Sequence, residues 1–163
     1  MTVLVRDMMV EDAEMVAAWI NQPRVGKYLS SNLRHGDMQA GLIRAALRRS
    51  DQHWSVFLID GEAVGLVAFD GIDAEDGIAN CWYLLGEERF QGQGASAQAL
   101  GLVLEEKRDA LHSVTAWTAA VNTASIRCLE KVGFRRVGAY SGAFVIDGDR
   151  TDRVLFEKLL SRC

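Results

Sequence analysis

Proline is nearly missing from this chain: Pro23 is the single one in 163 residues, so no proline-rich linker divides it. Cysteine is scarce as well. Cys81, Cys128 and Cys163 are odd in number and show no C-x-x-C spacing, which argues against a disulfide framework or a zinc site and fits a reducing compartment. His35, His53 and His112 never fall at the i, i+4 spacing of paired ligands on a helix, so no metal is expected. Basic charge is not in excess: a formal net charge of −4 disfavours a broad nucleic-acid-binding face. No apolar run reaches the ~18 residues that would suggest a membrane span. The opening MTVLVRDMMVEDAEM turns acidic too early for a secretion signal, so the cytoplasm is the expected location. These absences leave one domain over residues 1–163, long enough to bury roughly 70% of its unfolded surface without staples.

What is present is a change of apolar period along the chain. TVLVRDM reads as a strand and VEDAEMVAAWIN as a helix, ended by Asn21-Gln22-Pro23 because the residue before proline avoids helical angles. YLSSNLRHGD reads as a loop and MQAGLIRAALRRS as a second helix. HWSVFLIDGEAVGLVAFDG is two apolar runs split by Asp60-Gly61, a dipeptide suited to a type I′ hairpin. GIANCWYLLG is apolar on both faces and reads as a central strand. A long helix over Ala95 to Leu111, the strand SVTAWTAAV and the helix NTASIRCLEKVG follow, with Gly133 at the expected left-handed stop. FRRVGAYSGAFVI and RTDRVLFEKLL close the chain as strands joined at Asp147-Gly148-Asp149. The order β-αα-βββ-α-β-α-ββ places helices between antiparallel meanders, an α+β or mixed fold rather than strict βαβ alternation.

The glycines of RFQGQGASAQALGLVL stand where the strand GIANCWYLLG, the third of the meander, gives way to the long helix. A helix start carries unpaired N–H groups and the positive end of its dipole, and glycine there lets a ligand approach the main chain. Gly92 and Gly94 therefore suit a phosphate-bearing ligand, although a bare tight turn gives the same pattern. The P-loop is excluded because no lysine follows Gly94. The dinucleotide fingerprint is a near miss, with Ala97 at its third glycine, and the βαβ unit it requires is lacking.

Gln91-x-x-Gly94-x-Ser96 resembles the Arg/Gln-x-x-Gly-x-Gly/Ala acetyl-CoA signature of the GNAT N-acetyltransferases, with Ser96 in place of a smaller residue. NTASIRCLEKVGFRRVG, Asn122 to Gly138, resembles the second signature of that family, an Asn-led helix ending in E-K-x-G-F. Asn-Gln-Pro-Arg-Val and RTDRVLFEKLL look most like the branch of ribosomal-protein N-terminal and amino-sugar acetyltransferases. The resemblance implies a mostly antiparallel seven-stranded sheet with about four helices. It also implies a central strand that splays from its neighbour at a bulge to admit the pantetheine arm of acetyl-CoA.

That resemblance assigns main-chain groups near Tyr83, Leu84 and Leu85 to pantetheine, and those of Gln91, Gly92, Gln93, Gly94, Ala95 and Ser96 to the diphosphate; Asn122 caps its helix and touches pantetheine. It implies direct attack of an amine on the thioester, with no acyl-enzyme and no metal. Where many relatives carry a tyrosine acid, this chain has Leu129; Ser125, which takes that place in the ribosomal-protein branch, is the candidate acid. Where relatives carry a strand glutamate, this chain has Asn80, able to position a water but not to accept its proton. His53, Asp70 and His35 are the other candidate bases, and Cys81 and Cys128 read as buried inert thiols. The expected partner is a small-molecule or peptide amine, with an amino-sugar nucleotide ahead on the likeness of AAWINQPRVGKYLSSN. No nucleic acid or membrane is expected, and a homodimer is compatible with the pattern. A non-catalytic acyl-CoA-binding module is the alternative that the missing tyrosine and glutamate keep open.

Overall fold

The computed structural model describes residues 1–160, so Cys163 lies outside the described residues. Strands β1 (Val3–Asp7), β2 (His53–Ile59), β3 (Glu62–Asp73), β4 (Ile78–Leu85), β5 (Ser113–Ala119), β6 (Arg135–Ile146) and β7 (Asp149–Leu159) form one sheet in the order β1-β2-β3-β4-β5-β7-β6. All neighbours are antiparallel except β4 and β5. The mixed α+β architecture with a mostly antiparallel seven-stranded sheet thus agrees with the expectation. The β2–β3 hairpin turns on Asp60 (φ 49) and Gly61 (φ 89), the positive angles that a type I′ turn demands.

Five helices cover the two faces: α1 (Ala13–Ile20), α2 (Pro23–Gly26), α3 (Ala40–Ala46), α4 (Ala95–Lys107) and α5 (Thr123–Val132). Pro23 does end the first helix, and it also opens α2 as its first residue, where a missing N–H costs nothing. Helix α4 is shorter than its apolar pattern suggested. The N–H groups of Ala110 and Leu111 both return to the Lys107 carbonyl, turning the chain into β5.

Side-chain alternation along β4 divides the core. Ala79 and Cys81 are buried, with Tyr83 and Leu85 half-buried beside them, against the α4 face, where Ala99, Leu100 and Val103 meet Phe69, Val67 and Leu129. Trp82 and Leu84 face α1, α2 and α3, packed with Trp19, Ile20, Val25 and Trp54. Asn80 shares the Trp82 face by alternation, and Asp70 lies directly opposite it on β3.

Candidate active site

The two parallel strands at the middle of the sheet are paired only at their beginnings. Ile78, Ala79 and Asn80 register with Ser113, Val114 and Thr115, and no pairing continues along the remaining five residues of β4. An irregularity of the β3–β4 register falls between Asp70 and Asp73, opposite the Ile78–Asn80 stretch where the pairing of β4 with β5 ends. The β3–β4 ladder runs without a shift from Asp70↔Asn80 to Gly65↔Leu85, so β4 stays straight on its β3 side while β5 diverges. β5 is instead held over its whole length by β7, from Ser113↔Leu159 to Ala119↔Arg153. The fork opens a cleft of about 530 Å³ that is lined from both faces of the sheet.

At the open end of the fork lies the start of α4. Gly94 is its N-cap in a left-handed conformation (φ 77, ψ 10), and Gly92 shares that φ. The first helical bond runs from the Gln98 N–H to the Gly94 carbonyl, so the N–H groups of Ala95, Ser96 and Ala97 precede it. A Cβ on Gly94 would stand 3.4 Å from the Lys131 Nζ, with no other atom of the described residues beyond its chain neighbours within 4 Å. Backbone donors, the positive helix end and one ammonium thus border a space without side chains, which fits a diphosphate.

On the α4–α5 face, Asn122 caps α5 by accepting the Ser125 N–H at 3.2 Å. The Ser125 Oγ lies 2.9 Å from the Tyr83 hydroxyl, which is also 3.2 Å from the Ser125 carbonyl. Burial pushes the Tyr83 phenol well above its ordinary value, and that of Cys128, its neighbour on α5, is raised for the same reason. Cys81 is buried and its thiol is pushed up likewise, so neither cysteine is a ready thiolate.

On the opposite face a polar row crosses three strands at the crotch of the fork. Asn80 Nδ2 donates to Asp70 Oδ1 at 3.1 Å, and Thr115 Oγ1 donates to Asn80 Oδ1 at 3.4 Å. Burial raises the Asp70 carboxyl above its ordinary value; the Asn80 hydrogen bond works against that rise, and the like charge of Asp51 adds to it.

The cleft gathers nearly all the residues singled out from sequence: Asn80, Tyr83, Leu84, Leu85, Gln91, Gly92, Gly94, Ala95, Ser96, Asn122 and Ser125 line it. Gln93 does not, and its side chain turns back to donate to the Arg89 carbonyl. The Leu85 carbonyl already accepts from Arg24 Nη1 at 3.2 Å. Among the candidate bases only Asp70 lines the cleft. His53 lies 3.2 Å from Asp7 on β1, and its pKa is lowered by burial and then by Lys107 of α4. His35 borders a separate depression with Asn21, Arg24 and Asp147. The described residues contain no group of three or more His, Cys, Asp or Glu able to hold a metal, and no helix long and apolar enough to cross a membrane.

Three site features escaped the sequence reading. The Tyr83 side chain was passed over for its main chain, although the β alternation alone puts it on the Ser125 side. Lys131 belongs to the E-K-x-G-F segment, but its approach to Gly94 depends on how α5 crosses α4. Arg24 clasps the end of β4 through the Leu85 and Gly86 carbonyls, a contact of 61 and 62 residues' separation that no local pattern announces.

Comparison with known proteins agrees with this geometry. Residues 2–135 match the model of the acetyltransferase (GNAT) domain. A Bacillus licheniformis protein named "uncharacterized N-acetyltransferase p20" is 27% identical over 143 residues, spanning 82% of this chain and 79% of its own. The solved structure of a spermidine N-acetyltransferase from Vibrio cholerae with CoA and spermine superposes with a TM-score of 0.86 at 17% identity, over 97% of this chain and 95% of that one. RimL, a ribosomal L7/L12 alpha-N-protein acetyltransferase solved with coenzyme A, gives 0.83 at 17% identity over 97% and 94%. With a forked sheet, a glycine-capped central helix and a domain match over most of its length, the chain belongs to the GNAT acetyltransferase family and is an acetyl-CoA-dependent N-acetyltransferase.

Proposed function

We propose that this cleft passes the acetyl group of acetyl-CoA directly to a primary amine, with the α4 mouth holding the diphosphate and Ser125 protonating the departing thiolate. The observation that carries the reading is a single cleft running from the N–H groups of α4, past Ser125, through the fork to the far face of the sheet. Main-chain groups of Tyr83 and Leu84 border the fork as partners for the pantetheine amides, and Asn122 fixes the first turn of α5 beside them.

A thiol of pKa about 8.5 is a fair leaving group and needs only a weak acid. Ser125 is a weak acid, and Tyr83 improves it. With the phenol proton on the serine Oγ rather than on the Ser125 carbonyl, the serine proton is left directed outward and the oxygen is steadied as that proton departs. No cysteine carries the acyl group, in keeping with the raised thiol pKa values of Cys81 and Cys128.

The acceptor is a primary amine. The lean towards an amino-sugar nucleotide gains no support from the relatives described, whose names specify a ribosomal protein and spermidine. The segment that suggested it does border the cleft, through Arg24, Tyr28, Leu29 and Ser30. Thiol release from acetyl-CoA, measured with spermidine, peptides bearing free Ser or Ala N-termini and a nucleotide-linked amino sugar, tests the reading and ranks the acceptors. Binding of acetyl-CoA with no release across the panel would establish the non-catalytic module instead.

A further inference from the structure

We infer that Asp70 is the general base of this transferase, a carboxylate supplied from β3 at the place where β4 offers only Asn80. The inference rests on the acetyl-transfer reading above, and it begins from the chemistry of the acceptor. An alkyl amine with a pKa of about 10.4 is neutral in only about one molecule in 2,500 at pH 7. A group on the acceptor's path must therefore remove a proton before the nitrogen lone pair can attack.

The two faces of the sheet separate the tasks. Ser125 and Tyr83 stand on the α4–α5 face with the diphosphate site, where the thiolate leaves. Asp70 and Asn80 stand on the other face, with Trp82 and the α1–α3 layer, and reach the same cleft through the fork. Asn80 holds Asp70 by donating at 3.1 Å, while Thr115 fixes the amide of Asn80 by donating to its oxygen, so that its NH₂ points at the carboxylate. An amide in that orientation can only donate to Asp70, which keeps the charge on the aspartate and reserves it as the acceptor of the row.

The charged surroundings suit a base. Asp51, a like charge, and the buried neutral thiol of Cys81 are the titratable neighbours, and desolvation raises the proton affinity of Asp70 above that of a solvated carboxylate, against the hydrogen bonds of Asn80 and Trp82. His53, although it lies on the adjoining strand β2, is occupied with Asp7 on the α4 side.

Between ammonium and amide the nitrogen gives up two protons. Asp70 takes the first before attack and passes it to solvent. The second, lost as the tetrahedral adduct collapses and the C–S bond breaks, balances the one Ser125 gives to the thiolate. No oxidant, reductant or further reactant enters.

The test compares wild type, Asp70→Asn and Asp70→Glu, using spermidine and a free-N-terminal peptide as acceptors and thiol release as the readout. Asp70→Asn should keep wild-type stabilisation by acetyl-CoA and lose about 10²–10⁴-fold in kcat/KM at pH 7. That gap should narrow steadily as pH rises towards the pKa of the amine, and Asp70→Glu should recover part of the loss. Parallel pH profiles for Asp70→Asn and wild type, or equal losses in both variants, would overturn the assignment while leaving the transferase reading intact. A wild-type protein that releases no thiol with either amine sinks both.

Discussion

Replacing Gly94 with leucine separates the helix-mouth reading from a bare tight turn. Gly94 sits at φ 77, where an L-residue costs about 1–2 kcal/mol. Its Cβ would meet nothing but the mobile end of Lys131, at 3.4 Å, so the fold should survive. For a domain of this size, 1–2 kcal/mol lowers Tm by roughly 2–8 °C. The effect on acetyl-CoA is separate. A side chain here fills the space above the Ala95, Ser96 and Ala97 N–H groups and pushes Lys131 aside, removing one or two charge-assisted hydrogen bonds of about 1.5–3 kcal/mol each. The loss of even one weakens binding by about tenfold or more. Titration calorimetry with acetyl-CoA reads the affinity, and thermal unfolding without ligand reads the strain. Gly61→Leu supplies the control, since Gly61 also has a positive φ of 89 and open space, but lies at the β2–β3 turn. It should lower Tm alike and leave affinity alone. A folded Gly94→Leu protein that binds acetyl-CoA within twofold of wild type would refute the diphosphate site.

Other expectations follow from neighbouring parts of the structure. Gly101, inside α4 with nothing within 4 Å of its would-be Cβ, should tolerate alanine with a gain of about 0.5–1 kcal/mol, seen as a rise in Tm with unchanged acetyl-CoA binding. Gly65→Ala should do the reverse: its Cβ would fall 2.3 Å from the Phe57 ring and 2.5 Å from the Leu84 carbonyl, so urea unfolding should show a loss of about 1–3 kcal/mol or more. If Tyr83 works through Ser125, Tyr83→Phe should lower kcat in the wild-type background and change little in Ser125→Ala; additive losses would separate the two residues. Asp12 accepts both Arg6 Nη1 at 2.7 Å and Nη2 at 2.9 Å, and its pKa is lowered chiefly by that pairing. A carboxyl lowered in the folded state lends stability above its unfolded pKa of about 4 and loses it as pH falls, so the Tm advantage of wild type over Asp12→Asn should shrink between pH 5 and 3.

The parts of this molecule legible in the sequence were those whose cause is local. Asp60-Gly61 needs positive φ, Asn122 needs only the N–H three residues ahead, and Gly133 stops α5 by its own conformation. The fork was legible only through family resemblance, because the strand that holds β5 along its whole length, β7, lies some 40 residues later in the chain and leaves no local trace. The same distinction explains the candidate bases. His53, Asp70 and His35 are all possible proton acceptors in the sequence, and only tertiary placement tells them apart. The β3–β4 register sets Asp70 opposite Asn80 in the cleft, while His53 pairs with Asp7 and His35 borders another depression. Lys131 and Arg24 enter the site through helix crossing and a long-range clasp, which leave no periodic trace.

A protonated carboxyl is neutral, and burial favours it, so Asp70 in its charged form works against folding as pH rises through the carboxylate range. A purely structural aspartate is held by partners that lower its pKa, as Asp12 is by Arg6. For Asp70, burial outweighs the hydrogen bonds from Asn80 and Trp82 that hold its pKa down, Asp51 adds a like charge, and the causes of its shift include no cation. The two aspartates therefore predict opposite outcomes on neutralisation. Asp12→Asn should unfold more readily at neutral pH, whereas Asp70→Asn should unfold no more readily than wild type, or less so, while losing turnover. Stability given up at a position where activity is gained marks a functional group, and a lowered Tm for Asp70→Asn with full turnover would place Asp70 in the scaffold instead.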